Sequence, residues 1–173
     1  MLHVLKQQYN LIRSTRETLF TFLEEIPQEK LHSTVPNFGS GSIIKTHIHV
    51  ADCYRYWLGS FAFKQKRADF SFASDYEIEH ADVSKVRARF KIVDETVQRF
   101  LDEYNDRWLE NIANEVKWQK EPWSTTPLWL LTHTETHEFH HKGQIVSMAR
   151  HLGYTPPDTD LISLFKGPDY RKD

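Results

Sequence analysis

Four stretches of this chain repeat apolar residues three or four positions apart, the spacing of one helical face, and this excludes most folds at once. Residues 2–26 carry Leu5, Tyr9, Ile12, Leu19, Phe22, Leu23 and Ile26, and Pro27 closes the run. Ser42 can cap a second helix, reaching about Lys64, with Ile44, Ile48, Ala51, Tyr54, Trp57 and Leu58. A third starts at Asp82 and shows Val86, Phe90, Val93, Val97, Phe100 and Tyr104 on one stripe. The fourth has Thr126 as cap and Pro127 in the first turn, runs to Leu152, and stops at Gly153 before Pro156-Pro157. Helices of roughly 20–27 residues in a chain of this length predict an all-α four-helix bundle forming a single domain over residues 1–173.

The connections carry less information. QEKLHSTVPNFGSGS reads as loop. The segment RADFSFASDYEIEHAD is irregular, with the alternation in DFSFASDYEIE suggesting a short extended piece. This second connection is too long for a tight helical hairpin, which argues against a simple up-down-up-down order. Residues 106–124 set Trp108, Trp118 and Trp123 among charges without a clear period, and loop packing is expected of them.

Charge and cysteine usage narrow the function. Lys and Arg number 22 against 24 Asp and Glu, so there is no electrostatic footprint for nucleic acid. Cys53 is the only cysteine, which excludes an internal disulfide and suits a reducing compartment. MLHVLKQQYN lacks the apolar core and cleavage site of a signal peptide, and no apolar run approaches the roughly 18 residues of a membrane span. A cytoplasmic protein acting on a small molecule, without nucleic-acid or membrane partners, is expected.

The chemistry concentrates in THTETHEFHHKGQIV, residues 132–146. His133, His137 and His141 are spaced by four, so they stack along one face about 6 Å apart. Imidazoles at that spacing can turn ring nitrogens onto one divalent metal. His140 points off this face. Two such histidines make a weak site, so a third ligand should come from a neighbouring helix. The second helix offers His47 and His49, which lie roughly 200° apart around its axis, so at most one faces the bundle interior. Spacing alone leaves the choice open.

His137 to His141 also satisfies HExxH, in which the glutamate would be the base of a metalloprotease. That reading needs a downstream third ligand. No glutamate follows His141, and Gln144 occupies the position where the longer form of the motif requires glycine. Glu138 projects about 100° away from His137 and is expected to be solvated or to support a ligand from outside. Gln144 can bond to His141 or to a backbone carbonyl. Gly143 suggests a close helix approach, since glycine within a helix costs about 1 kcal/mol. Cys53 and Tyr56 read as packing residues.

HIHVADCYRYWLG, followed about ninety residues later by HTETHEFHHKGQIVSMARHLGYTPPDTDLI, resembles the DinB/YfiT-like family of metalloenzymes. The likeness is sharpest over residues 42–60 and 127–162. Members pair a histidine shortly before a Trp-Leu on the second helix with HxxxH and [RK]GQ on the fourth. The resemblance implies His49, His137 and His141 as the metal ligands, with Lys142-Gly143-Gln144 in the place of the usual Arg-Gly-Gln. It also implies an up-down-down-up bundle, a homodimer, and activities such as bacillithiol S-transfer or mycothiol-dependent isomerisation.

Three neutral imidazoles with an open fourth position resemble catalytic rather than structural zinc centres. Such a site can lower a bound water to a pKa of about 7 or hold a thiol as thiolate. Imidazole accepts several late first-row ions, zinc and nickel among them. The expected function is therefore a metal-dependent thiol S-transferase or hydrolase, with a low-molecular-weight thiol such as bacillithiol as possible cosubstrate. The alternatives are a non-catalytic metal-binding module in stress response or interaction, and a structural protein with incidental histidines.

Overall fold

The structure, a computed structural model, describes residues 2–164. Among the described residues its regular secondary structure is helical apart from one small hairpin. Helix α1 spans Leu2–Glu24, α2 Gln28–His32, α3 Ile43–Tyr54, α4 Asp75–Glu79, α5 Val83–Glu103 and α6 Pro127–His151. Strands β1 (Ile112–Asn114) and β2 (Trp123–Thr125) pair antiparallel between α5 and α6.

The long helices begin where the sequence offers caps. Asp82 and Thr126 accept the Lys85 and Trp129 amides through their side chains, and Ser42 accepts that of Lys45, each satisfying an otherwise unpaired donor. Helix α6 ends in a Schellman motif. Gly153 takes φ +91°, its amide donates to the Arg150 carbonyl, and the Tyr154 amide donates to that of Ala149.

Side-chain contacts define how the long helices pair. Lys6 meets Asp102 and Glu24 meets Arg87, so α1 and α5 run antiparallel. His49 meets His141 and Trp57 meets Trp129, so α3 and α6 do too. His47 meets Phe90 and the Tyr104 hydroxyl donates to the Ala62 carbonyl, which makes α3 and α5 parallel. Gln8 meets Glu135 and Thr15 meets Lys142, so α1 and α6 are parallel. Leu19, Leu23, Ile44, Leu58, Val93, Val97, Leu131 and Met148 belong to the shared core. Among the described residues no helix is long and apolar enough to cross a membrane.

Three segments differ from the sequence expectation. The second helix is not a uniform α-helix to Lys64. After Tyr54 it widens into a π-helix over Arg55–Phe61, with the Ala62 amide reaching back five residues to the Trp57 carbonyl. Gly59 lies in this turn, and a Cβ there would stand 3.4 Å from the Thr96 methyl of α5. The piece expected to be extended contains α4. Ser74 and Glu77 form a full capping box, and this S-x-x-E signal outweighs the weak alternation around it. The stretch after Pro27, read as loop, contains the short helix α2 around buried Leu31.

These departures place the walls of the site. Asp52, buried on α3, accepts from Arg55, from Arg89 of α5 and from the Ala73 amide, tying the segment before α4 to the helices. Asn114 of β1 donates to the carbonyls of Phe61 and Gln65, fixing the hairpin over the π-helical turn.

Candidate metal centre

His49 lies on the face of α3 that meets α6, while His137 and His141 lie one turn apart on the facing stripe. One ring nitrogen from each lies within 4.8 Å of the other two. The His49 and His137 Nε2 atoms are 3.1 Å apart, and the His137 and His141 ring centroids 4.3 Å. Two imidazoles on one tetrahedral ion, at about 2.0–2.1 Å each, hold their nitrogens roughly 3.3 Å apart, so this donor set fits a divalent metal. His49 is exposed and the other two are half-buried, which leaves one side of the group open.

The electrostatics favour the neutral ring that a metal requires. Burial, followed by the neighbouring imidazoles, pushes His137 down to about 3. Burial also lowers His49, with Asp52 opposing and Lys117 assisting, and it lowers His141 against the bond from Gln144. The His141 Nδ1–H donates to Gln144 Oε1 at 2.8 Å, which fixes the tautomer and turns Nε2 out as the free donor atom. The Gln144 amide in turn donates to His140 Nε2 at 3.1 Å. His140 is exposed and stands outside the three-nitrogen group.

His47 goes the other way. It is buried in the core, stacked on Phe20 at 4.7 Å and against Phe90 at 5.0 Å, and burial lowers it to about 3. The third histidine of the α6 stripe, His133, stacks on Trp129 at 4.9 Å, with its Nε2 4.0 Å from Cys53 Sγ. Cys53, His133 and His137 form a second, overlapping group of potential ligands. Burial pushes the Cys53 thiol up to about 12, so it is protonated unless a metal takes it.

Glu138 is neither solvated nor aimed at the histidines. Its carboxylate is buried against α1, accepting from Arg16 Nε at 2.7 Å and Nη2 at 2.8 Å. Arg16 also donates to Asp94 of α5, which accepts from the Tyr9 hydroxyl. The HExxH glutamate is therefore committed to an ion pair with Arg16 of α1, off the histidine stripe of α6, and the protease reading has no base. Lys142 is buried as well, donating to Thr15 Oγ1 and to the Thr159 carbonyl, so it anchors the segment after α6. A Cβ added at Gly143 would meet nothing within 4 Å, which removes close helix approach as the reason for this glycine.

Beside the histidines lies a cavity of about 170 Å³ lined by His49, Cys53, Tyr56, Trp57, Arg67, Phe72, Lys117, Trp118, His133 and His137. Cys53 and Tyr56, read from sequence as packing residues, both face it. The Tyr56 hydroxyl donates to the Glu115 carbonyl and joins the hairpin to α3. Sequence reasoning missed Arg67, Phe72 and Lys117, which reach the site only because the two long connections fold over it. Of the Trp residues, Trp118 lines the cavity, Trp123 packs on Trp57 behind it, and Trp108 is core.

A helical fold that gathers imidazoles from two facing helices beside an aromatic cavity defines a class of protein able to hold a metal. The DinB family model matches residues 1–169, and the chain belongs to the DinB family. Comparison with curated proteins gives no match.

Proposed function

We propose that His49, His137 and His141 hold one divalent ion, zinc or nickel, in a cytoplasmic metal-dependent thiol S-transferase or hydrolase. The observation that carries this reading is the convergence of three neutral imidazoles, open on one side, beside a cavity with aromatic lining. A bound ion would supply Lewis acidity, keeping a thiol or water deprotonated near neutral pH. The residues of the chain supply the rest. Gln144 fixes the His141 tautomer, burial keeps the rings neutral, and Trp57, Phe72 and Trp118 form apolar walls that limit water around a small substrate. The pairwise helix directions support an up-down-down-up bundle acting as a single domain. A homodimer and a low-molecular-weight thiol such as bacillithiol complete the proposal.

One observation favours a non-catalytic metal-binding module instead: among the described residues no carboxylate lines the cavity to serve as general base. Thiol transfer needs no such base if the ion holds the thiolate, whereas ester or amide hydrolysis needs one more often. The test is turnover by the metal-loaded protein with a small thiol and an electrophilic acceptor, compared with His141→Ala. Turnover lost in that variant supports the enzyme. Full metal occupancy with no turnover across thiols, esters and amides supports the module.

A further inference from the structure

We infer that the cavity beside the three histidines is built for a small carboxylate-bearing molecule with an apolar body, its carboxylate held by Arg67 and Lys117 and its other end turned to the histidines. This rests on the metal-dependent reading above and names the class of ligand for that site.

The lining is chemically divided. Trp57, Phe72 and Trp118 offer apolar faces, and His49, His133 and His137 share the lining with them. Arg67 arrives from the short turn Arg67–Asp69 after α3, and Lys117 from the hairpin loop, so two separate chain segments each bring a cation to one cavity. Among the described residues no carboxylate lines it, and Asp69 and Glu115, the acids nearest these cations in sequence, are not among its walls.

Among the described residues most arginines outside the cavity pair with carboxylates, whereas Arg99 lies over the Phe63 ring. Arg13, Arg16, Arg55, Arg87, Arg89 and Arg107 each meet a carboxylate. Among the described residues neither Arg67 nor Lys117 has such a partner. The exposed Arg67 guanidinium lies near the Tyr56 hydroxyl, which donates to the Glu115 carbonyl, so its neighbour at the cavity is a neutral group and its charge stays uncompensated. A planar guanidinium suits two-point recognition of a carboxylate, and a lysine adds a point charge. A cavity of about 170 Å³ lies below the roughly 300–1,000 Å³ of drug-sized sites, so the ligand is of one-ring size with a short acid arm.

The experiment titrates the full-length protein with phenylacetate and with its neutral isostere phenylacetamide, following the fluorescence of the Trp residues at the cavity. A second pair, 3-mercaptopropionate and 2-mercaptoethanol, asks whether the thiol rather than its acceptor carries the acid. Both zinc-loaded and chelator-stripped protein are used, with Arg67→Gln, Lys117→Gln and the double variant, and zinc stoichiometry is measured for each. The acid should bind about tenfold or more tighter than its neutral partner in at least one pair, in stripped as well as loaded protein. The double variant should bring the two within about twofold while keeping its zinc, and added salt should narrow the wild-type preference. Equal binding of acid and neutral partner in both pairs overturns the inference. So does a preference that survives in the double variant, or one present only with zinc, which would put the carboxylate on the ion. Failure of the metal reading shows separately, as no zinc uptake by a protein that still prefers the acid when stripped.

Discussion

Replacing Glu138 separates a structural carboxylate from a catalytic one. Glu138→Gln removes the charge facing Arg16, a side chain only 2% exposed. Two charge-assisted bonds are involved, at 2.7 and 2.8 Å. Each such bond contributes about 1.5–3 kcal/mol, and the glutamine oxygen can keep one of them. Asp94 still faces Arg16 at 2.9 Å and offsets part of the remaining charge. The expected loss is about 3 kcal/mol, at the low end for breaking a buried pair, and about 4 kcal/mol for Glu138→Ala, which also opens a void. For a chain of this size that lowers Tm by roughly 6–12 °C. Urea denaturation of metal-free protein measures it, as a fall in midpoint with unchanged slope. Arg16→Met combined with Glu138→Leu should be markedly more stable than the sum of the single losses implies. In the metal-loaded protein, Glu138→Gln should keep most turnover per folded molecule. A Glu138→Gln variant as stable as wild type would refute the ion-pair reasoning. Selective loss of peptide hydrolysis in that variant would return the glutamate to the role of base.

Other substitutions test neighbouring links. Gln144→Ala frees the His141 tautomer and should weaken metal binding about 10–100-fold by competition titration; an unchanged affinity would show that Gln144 does not orient the ring. Gly143→Ala adds a methyl group to open space within a helix and should stabilise by about 0.5–1 kcal/mol; a loss in thermal melting would reveal a contact not seen there. His47 is held neutral with its folded pKa lowered to about 3, below an ordinary value of 6.5. Its stabilising effect is therefore present above about pH 6.5 and lost as pH falls toward 3. Stability of metal-free wild type should fall across that window more steeply than that of His47→Leu, by up to about 1.4 kcal/mol per pH unit, and identical slopes would contradict the burial account.

Helix existence was legible because burial forces period and capping forces position. The Ser42, Asp82, Thr126-Pro127 and Gly153 signals all mark helix ends where the structure has them. The i,i+4 stripe of His133, His137 and His141 was legible for the same reason, since a regular helix fixes which side chains share a face. What lay across from it was not. Choosing between His47 and His49 depends on how α3 is rotated against its neighbours, which packing of Phe20 and Phe90 decides and spacing does not. The S-x-x-E signal of Ser74 and Glu77 stood in the sequence but was not read there, where only the alternation around it was followed. Glu138 was misjudged because an angle around a helix tells where a side chain points, not whether Arg16 of another helix waits there. Arg67 and Lys117 depend wholly on tertiary structure. The bonds that fold their segments over the π-helical turn, from Asn114 and to Asp52, join residues far apart in sequence.

The central claim is tested most directly by counting metal. Tag-free protein is reconstituted with zinc, dialysed, and measured by elemental analysis alongside His49→Ala, His137→Ala, His141→Ala and His140→Ala. The expected result is about one ion per chain for wild type and His140→Ala, and a sharp loss for each of the other three. Full occupancy and affinity retained in His137→Ala, or no stoichiometric uptake by the wild type, would contradict a three-histidine centre.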